Sequence, residues 1–286
     1  MVATLGWAVK KVFYLGMEQW AAFYFDFMVA PLFRERGLRS KIFGEAFSLA
    51  EASGVALHYT YCALEDFASV DFLRNQIGAE PVGSCHTLRW PVYRKKRTKR
   101  EFLSADVAEV HEAYLRECGP FDFYSNPLEN GKLPGYVASF SGEDAGCSIW
   151  SNGEILPERV VSNSILTRIA REAISYRPLD LFSWPRVPAP GDLIKKWFLF
   201  DFWAGNPDSA VELMYRVNNL ALEKGIDSCE VVHQTDQAWI GELRAVAPIF
   251  FSPVHSFTLI LKSKEGAMQP LVYPYVDVRD LAGNRD

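Results

Sequence analysis

"FDFMVAPLFRERGLRS", residues 25–40, runs from an aromatic strand through Pro31 into a charged turn with a single glycine, then into a helical pattern. Proline cannot donate to a sheet ladder, so the apolar strand from Phe23 ends at Val29. Downstream, Ile42, Phe43, Ala46, Phe47 and Ala50 recur at helical spacing, and Gly54 is placed to end that helix. "VALHYTYC" (55–62) then reads as a buried strand. Asp66 is placed to cap a short helix with Val70, Leu73 and Ile77 inward; Gly78 ends it, and "SCHTLRWPVY" (84–93) resumes a strand. The predicted order is β, α, β, α, β. A strand that turns into a helix aims backbone N–H groups and the positive end of the helix dipole at one point, which suits a pyrophosphate. Arg34, Arg36 and Arg39 add charge, and Gly37 permits positive φ and close backbone approach. Neither GxGxxG nor GxxxxGK[ST] is present.

The second half echoes this pattern. "WFLFDFWAGN" (197–206) repeats the Phe-Asp-Phe of 25–27 at 200–202. A helix with Val211, Met214, Tyr215 and Leu222 inward follows, with Asn218 the polar residue on that face, and ends at Gly225. "SCEVVHQ" reads as a strand, "DQAWIGELRAV" as a short helix and "SFTLILKS" as a closing strand. Between the two passes, Ser104 is placed to cap a helix through Cys118 with Val107, Val110, Tyr114 and Leu115 inward. A turn-rich loop (120–135), strands at "YVASFS" and "AGCSIWSN", and a helix over 157–176 come next. The third Phe-Asp-Phe, at 121–123, falls in the loop.

At 286 residues, 49% hydrophobic and 14% aromatic, the chain has the length of about two domains with sizeable cores. A net charge of −5 leaves no global basic field to draw nucleic acid or an acidic membrane. The five cysteines are scattered without CxxC spacing, so neither a disulfide framework nor a metal site is expected, and a reducing compartment is the simpler reading. The apolar run from Trp20 to Phe33 is broken by Asp26 and too short to span a bilayer. An intracellular protein is expected, cytoplasmic or, through "RKKRTKR" (Arg94 to Arg100), nuclear; a solvated linker over 94–103 is the plainer reading of that basic run.

Arg34-Glu35-Arg36-Gly37-Leu38-Arg39 resembles the RxxGxG/A signature of the GNAT superfamily of N-acetyltransferases, with Val29-x-Pro31 before it and an amphipathic helix after it. The resemblance implies two tandem GNAT-like α/β units with mixed central sheets flanked by helices. These are a partial acyl-CoA-binding domain over 1–93, lacking the family's N-terminal strand and helices, and a degenerate domain over 104–286. It implies acetyl-CoA held between two splayed strands. Phe27, Met28 and Val29 would line the pantetheine and acyl end, and Arg34, Glu35, Arg36, Gly37, Leu38, Arg39 and Ser40 would hold the pyrophosphate. Ser69 and Phe72 fit the family's NxxS/A step, with Asp66 in place of Asn. "ASV", "PVY", "SIW" and "VDVRDL" together resemble the plant Hookless type of N-acetyltransferase.

Two departures stand out. Arg39 replaces the last Gly/Ala, where its side chain crowds the pyrophosphate unless it turns outward. Leu73 stands where the family carries a tyrosine that protonates the departing thiolate. Tyr59 and Tyr61 are substitutes for that acid, although strand tyrosines are more often core residues, and Asp26, His58 and His86 are candidate bases for which a structural role is the plainer reading; Asp26 recurs as Asp201 where the basic turn is lost. Cys85 and His86 alternate to opposite strand faces and make a poor nucleophile–base pair. The expected reaction is acetyl transfer from acetyl-CoA to an amine acceptor, with no membrane and no direct nucleic-acid partner. A non-catalytic acyl-CoA-binding or nuclear regulatory module is the alternative.

Overall fold

The computed structural model describes residues 2–33, 36–119, 121–125, 133–151, 153, 157–162, 165, 168, 169, 172, 185–234, 254–263 and 271. In chain order, its first elements are β1 (Ala3–Tyr14), β2 (Met17–Val29), α1 (Leu38–Ala52), β3 (Leu57–Ala63), α2 (Phe67–Phe72) with a π-helical turn at Leu73–Ile77, and β4 (Glu80–Pro91). Next come β5 (Leu103–Ser104), α3 (Val107–Cys118), β6 (Phe123–Ser125), β7 (Tyr136–Ser141), β8 (Ala145–Ser151) and β9 (Glu158–Arg159). The last are β10 (Leu193–Ile194), β11 (Lys196–Ala204), α4 (Pro207–Glu223), β12 (Ser228–Gln234) and β13 (Val254–Ser263).

Backbone proximity divides the chain into two units. Unit 1 comprises Met1–His86, Gly119–Glu129 and His255–Asp286; unit 2 comprises Thr87–Cys118 and Asn130–Val254. In unit 1 the strands run β4-β13-β3-β2-β1-β6, and in unit 2 they run β5-β7-β8-β11-β12-β4, with β4 divided between them at His86. Both are mixed sheets: β2 lies parallel to β3, β11 parallel to β12, and β1–β2, β3–β13 and β8–β11 are antiparallel.

The predicted βαβαβ order holds in unit 1, and the Asp66 side chain does accept the N–H of Ser69 at 3.1 Å. Several expectations are corrected. The strand predicted from Phe23 begins at Met17, because Leu15 (φ 49°) and Gly16 (φ 80°) form a tight turn that pairs it with β1. "SFTLILKS" closes unit 1 rather than the second unit: Phe257–Ser263 pair with Ala63–Leu57 of β3. Phe123, expected in a loop, starts β6 and pairs with Tyr14. Ser104 belongs to β5, and Asp106 caps α3 by accepting the Ala108 N–H at 2.8 Å. Leu222 is 36% exposed near the end of α4, whose buried face is Ala210, Leu213, Met214, Val217 and Ala221. Glu158–Arg159 are strand at the start of the helix predicted over 157–176, whose described residues Ile165, Arg168, Ile169 and Glu172 are helical; the rest of that stretch after 162, "DQAWIGELRAV" and "VDVRDL" lie outside the described residues.

The repeated Phe-Asp-Phe is a repeated β-bulge. Asp26 and Asp201 take φ of 50° and 49°, a left-handed conformation that aspartate tolerates better than most side chains. The β1–β2 register slips between Thr4 and Gly6, and the β8–β11 register between Phe200 and Trp203. The extra residue shifts the alternation: Ala22, Tyr24 and then Phe27 face one core, as Trp197, Leu199 and then Phe202 face the other. Each bulge has a glycine opposite it. A Cβ at Gly6 would lie 2.5 Å from the Phe25 ring, and one at Gly146 would lie 2.6 Å from Trp203 Nε1.

Candidate functional site

The parallel register of β2 and β3 covers only Ala21–Phe23 against Leu57–Tyr59. At the point of parting, Thr60 Oγ1 donates to the Tyr24 carbonyl at 2.8 Å. The bulge at Asp26 then bends β2 away while β3 stays on β13 through Ala63, so a gap opens with Phe27 on its α1 side.

β2 passes into a 3₁₀ turn at Pro31–Phe33, tied by Ala30 N–H to Val2 O at 2.8 Å and Phe33 N–H to Ala30 O at 2.8 Å. Arg34 and Glu35 lie outside the described residues. Gly37 precedes α1 at φ 66°, ψ 15°, and among the described residues no side chain caps the helix. A Cβ there would meet nothing within 4 Å, so backbone conformation, not crowding, requires glycine. Lys41 N–H to Gly37 O, at 3.3 Å, is the first bond of the helix. The N–H groups of Leu38, Arg39 and Ser40 therefore lead its positive end.

Four of the predicted site residues converge. The Arg39 guanidinium lies 5.1 Å from the Phe27 ring centroid and 4.2 Å from that of Phe72, and donates to Ser69 Oγ at 2.7 Å. It turns neither outward nor toward the turn that precedes α1 but inward, across the gap to α2. Burial lowers its pKa, opposed by the charge of Asp66. Phe27 also packs against Phe43 of α1, the tilted rings 5.1 Å apart. Around them, Val29 and Leu38 are half-buried, Met28 and Ser40 are exposed, and Arg36 lies exposed over the Phe33 ring at 4.9 Å.

The acid and base candidates sit in structural surroundings. Leu73 is buried in the α1–α2 core, and Tyr59 and Tyr61 belong to an aromatic stack, with Tyr59 5.0 Å from Phe23 and 5.1 Å from Phe123. His58 is buried and bonded through Nδ1 to the Tyr24 hydroxyl at 2.8 Å; His86 Nδ1 bonds Ser256 Oγ at 2.6 Å. Asp26 is exposed at the bulge. Burial pushes the Cys62 thiol up to about 12, which removes it as a nucleophile near neutral pH. Among the described residues no His, Cys, Asp and Glu cluster is placed to hold a metal ion, and no helix is long and apolar enough to cross a membrane.

Unit 2 repeats the strand–turn–helix but fills its helix start with its own side chains. Asn206 caps α4 by accepting the Ser209 N–H at 2.9 Å. The Asp144 carboxylate accepts from Ser209 Oγ at 2.5 Å, Asn206 Nδ2 at 2.9 Å and Arg100 at 2.8 Å, and these bonds hold its pKa below the usual carboxylate range. Sequence reading missed Asp144; the Asn-Pro-Asp-Ser start of α4 was the available signal for a self-capped helix. The counterpart of Asp26 is also changed: Asp201 is buried and accepts from His111 Nδ1 at 2.8 Å.

The basic run is strapped along α4. Asn218 Nδ2 donates to the Arg94 carbonyl at 2.9 Å, Asn219 exchanges bonds with the Lys96 backbone at 2.7 and 2.8 Å, and Glu212 accepts the Lys99 N–H at 2.6 Å. The polar Asn218 on the apolar face is thus a strap anchor.

No protein-family model and no curated protein matches the sequence. Among solved structures, N-myristoyltransferase of Saccharomyces cerevisiae with bound myristoyl-CoA superposes with a TM-score of 0.58 at 12% identity, over 94% of this chain and 65% of that one. A second structure of the same yeast enzyme with myristoyl-CoA gives 0.58 at 11% identity, over 94% and 68%. A GCN5-related N-acetyltransferase from Anabaena variabilis reaches 0.45 at 13% identity, too loose to argue from. The chain thus spans about two thirds of the length of the yeast enzyme, and what they share is the fold: mixed sheets flanked by helices, compatible with two tandem units.

Proposed function

We propose that the chain is an acyl-CoA-dependent N-acyltransferase, with the donor held in unit 1 and acetyl the leading choice of acyl group. One contrast carries the reading. The helix start at Gly37 has no side-chain cap among the described residues and follows two strands whose pairing ends at Phe23 and Tyr59, whereas the equivalent start at Asn206 is closed by Asn206 and Asp144. An uncapped helix start with adjacent arginines suits a pyrophosphate, and the yeast enzyme of similar fold has myristoyl-CoA bound.

In this reading the thioester supplies an activated acyl group. The backbone N–H groups of Leu38, Arg39 and Ser40, with Arg34 and Arg36, bind the phosphates, and Phe27, Met28 and Val29 line the arm and acyl end. A backbone N–H on the free edge of β2 beyond the bulge steadies the carbonyl oxygen as charge develops there. The acceptor amine attacks the carbonyl carbon, the C–S bond breaks, and the thiolate leaves, while the proton that the amine gives up passes through solvent to that thiolate. Unit 2, with its helix start closed, serves packing or acceptor recognition, and the run 94–100 is a nuclear address or a plain surface strap. The finer Hookless-type kinship belongs to the same proposal.

Calorimetry with acetyl-CoA and myristoyl-CoA tests the donor site: wild type binds at least one, and Gly37→Glu, which adds a carboxylate and a strained αL side chain, loses at least tenfold. Absence of binding by wild type overturns the reading. A binding-only module is favoured by one observation, the core position of Leu73 together with the stacking of Tyr59 and Tyr61. Thiol release above the hydrolysis rate when amines are offered rules that alternative out.

A further inference from the structure

Arg39 is held at several costs. Its Nε is buried and has no hydrogen-bond partner among the described residues. The guanidinium is partly desolvated, and a cation in the first turn of a helix opposes the helix dipole. What retains it is the pair of ring faces, Phe27 at 5.1 Å and Phe72 at 4.2 Å, and the bond to Ser69 at 2.7 Å. The side chain thereby bridges β2 and α2 over the gap in which β2 parts from β3. A phosphate at the N–H groups of Leu38 and Ser40 would sit at the root of this same side chain. It would offer acceptors to the unbonded donor and a counter-charge at the positive helix end.

We propose that Arg39 is a latch on the donor site, closed by Phe27, Phe72 and Ser69 and released when a phosphate group at the start of α1 draws the guanidinium out. This rests on the donor-site reading above. Release clears the slot between Phe27 and Phe72 for the uncharged arm of the donor, so the charged and uncharged parts of the ligand bind cooperatively. Donors lacking phosphates find the slot filled, which makes the latch a specificity device for phosphorylated carriers.

Calorimetry with acetyl-CoA and with S-acetylpantetheine, which has the arm and thioester but no phosphate, tests this on wild type, Arg39→Ala and Ser69→Ala. Wild type binds acetyl-CoA, while Arg39→Ala binds S-acetylpantetheine at least tenfold more tightly than wild type does. Ser69→Ala keeps the charge and weakens only the closed state, so it binds acetyl-CoA several-fold more tightly; it keeps the test readable if Arg39→Ala does not fold. Equal S-acetylpantetheine binding by wild type and Arg39→Ala, binding by neither, or unchanged acetyl-CoA affinity in Ser69→Ala overturns the latch and leaves the donor site standing. Failure of wild type to bind any acyl-CoA overturns both.

Discussion

The same tripeptide, Phe-Asp-Phe, should respond to very different degrees to the same substitution in its two settings. Asp26 and Asp201 both sit at bulges with φ near 50°. Glycine at either site relieves left-handed strain of about 1 kcal/mol but adds about 0.5–1 kcal/mol of chain entropy to be lost on folding, so the backbone terms nearly cancel. Position 26 is exposed, so whatever its side chain holds is held in competition with water, and Asp26→Gly should cost less than about 1 kcal/mol. At position 201 the carboxylate is 2% exposed and accepts from His111, itself 6% exposed, at 2.8 Å. Removing it strands a buried imidazole donor, which costs about 1–3 kcal/mol, and vacates carboxyl volume beside Cys147 and Cys118, for a total of about 2–3 kcal/mol. Equilibrium urea unfolding followed by circular dichroism reads both variants. Equal losses at the two sites, or an Asp201→Gly variant as stable as wild type, would refute the assignment of one bulge to the exposed surface and the other to a buried bond.

Two further outcomes follow from the closed helix start of unit 2. Asp144→Asn should cost about 1–2 kcal/mol near neutral pH by weakening its bonds to Ser209 and Arg100. Because folding lowers this carboxyl's pKa, the loss is fully present above the unfolded value near 4 and fades as pH falls through the folded one, so the two unfolding curves should converge in acid. The strap is a protease question. Asn219→Ala removes both backbone bonds to Lys96, and trypsin should then cut within Arg94–Arg100 at least several-fold faster than in wild type; equal rates would mean the bonds do not hold the strap.

Local chemistry was legible in the sequence, and long-range pairing was not. The face of α1, the Asp66 cap and the need for glycine at 37 depend on neighbours a few residues away, and each appears where the spacing put it, although Asp106 displaced Ser104 as the cap of α3 and Leu222 left the face of α4 near its end. The partner of β13 does not: "SFTLILKS" has the alternation of a strand whether it closes the unit nearest in sequence or, as it does, joins β3 nearly two hundred residues earlier. The bulge was half visible. Phe-Asp-Phe announced a shared strand, yet an aspartate between two aromatics in a strand also marked the one residue able to take positive φ, and the frame shift from Tyr24 to Phe27 follows from it.

The proposed donor site depends on that shift. Without the bulge, Phe27 would fall on the far face of β2 and Arg39 would have one ring instead of two to rest against. Arg39 itself read as an obstacle, because at a position of small residues a long cation has only two evident directions, into the ligand or into solvent. The third direction, inward between rings, exists only once the bulge and α2 are both in place. In unit 2 the same bulge persists, but the turn after it reads Gly-Asn-Pro-Asp-Ser, and its helix start is filled by Asn206 and Asp144. A strand, a bulge and a helix therefore make the scaffold common to both units, and what separates a candidate donor site from a closed copy is whether the first turn keeps its own N–H groups for a ligand.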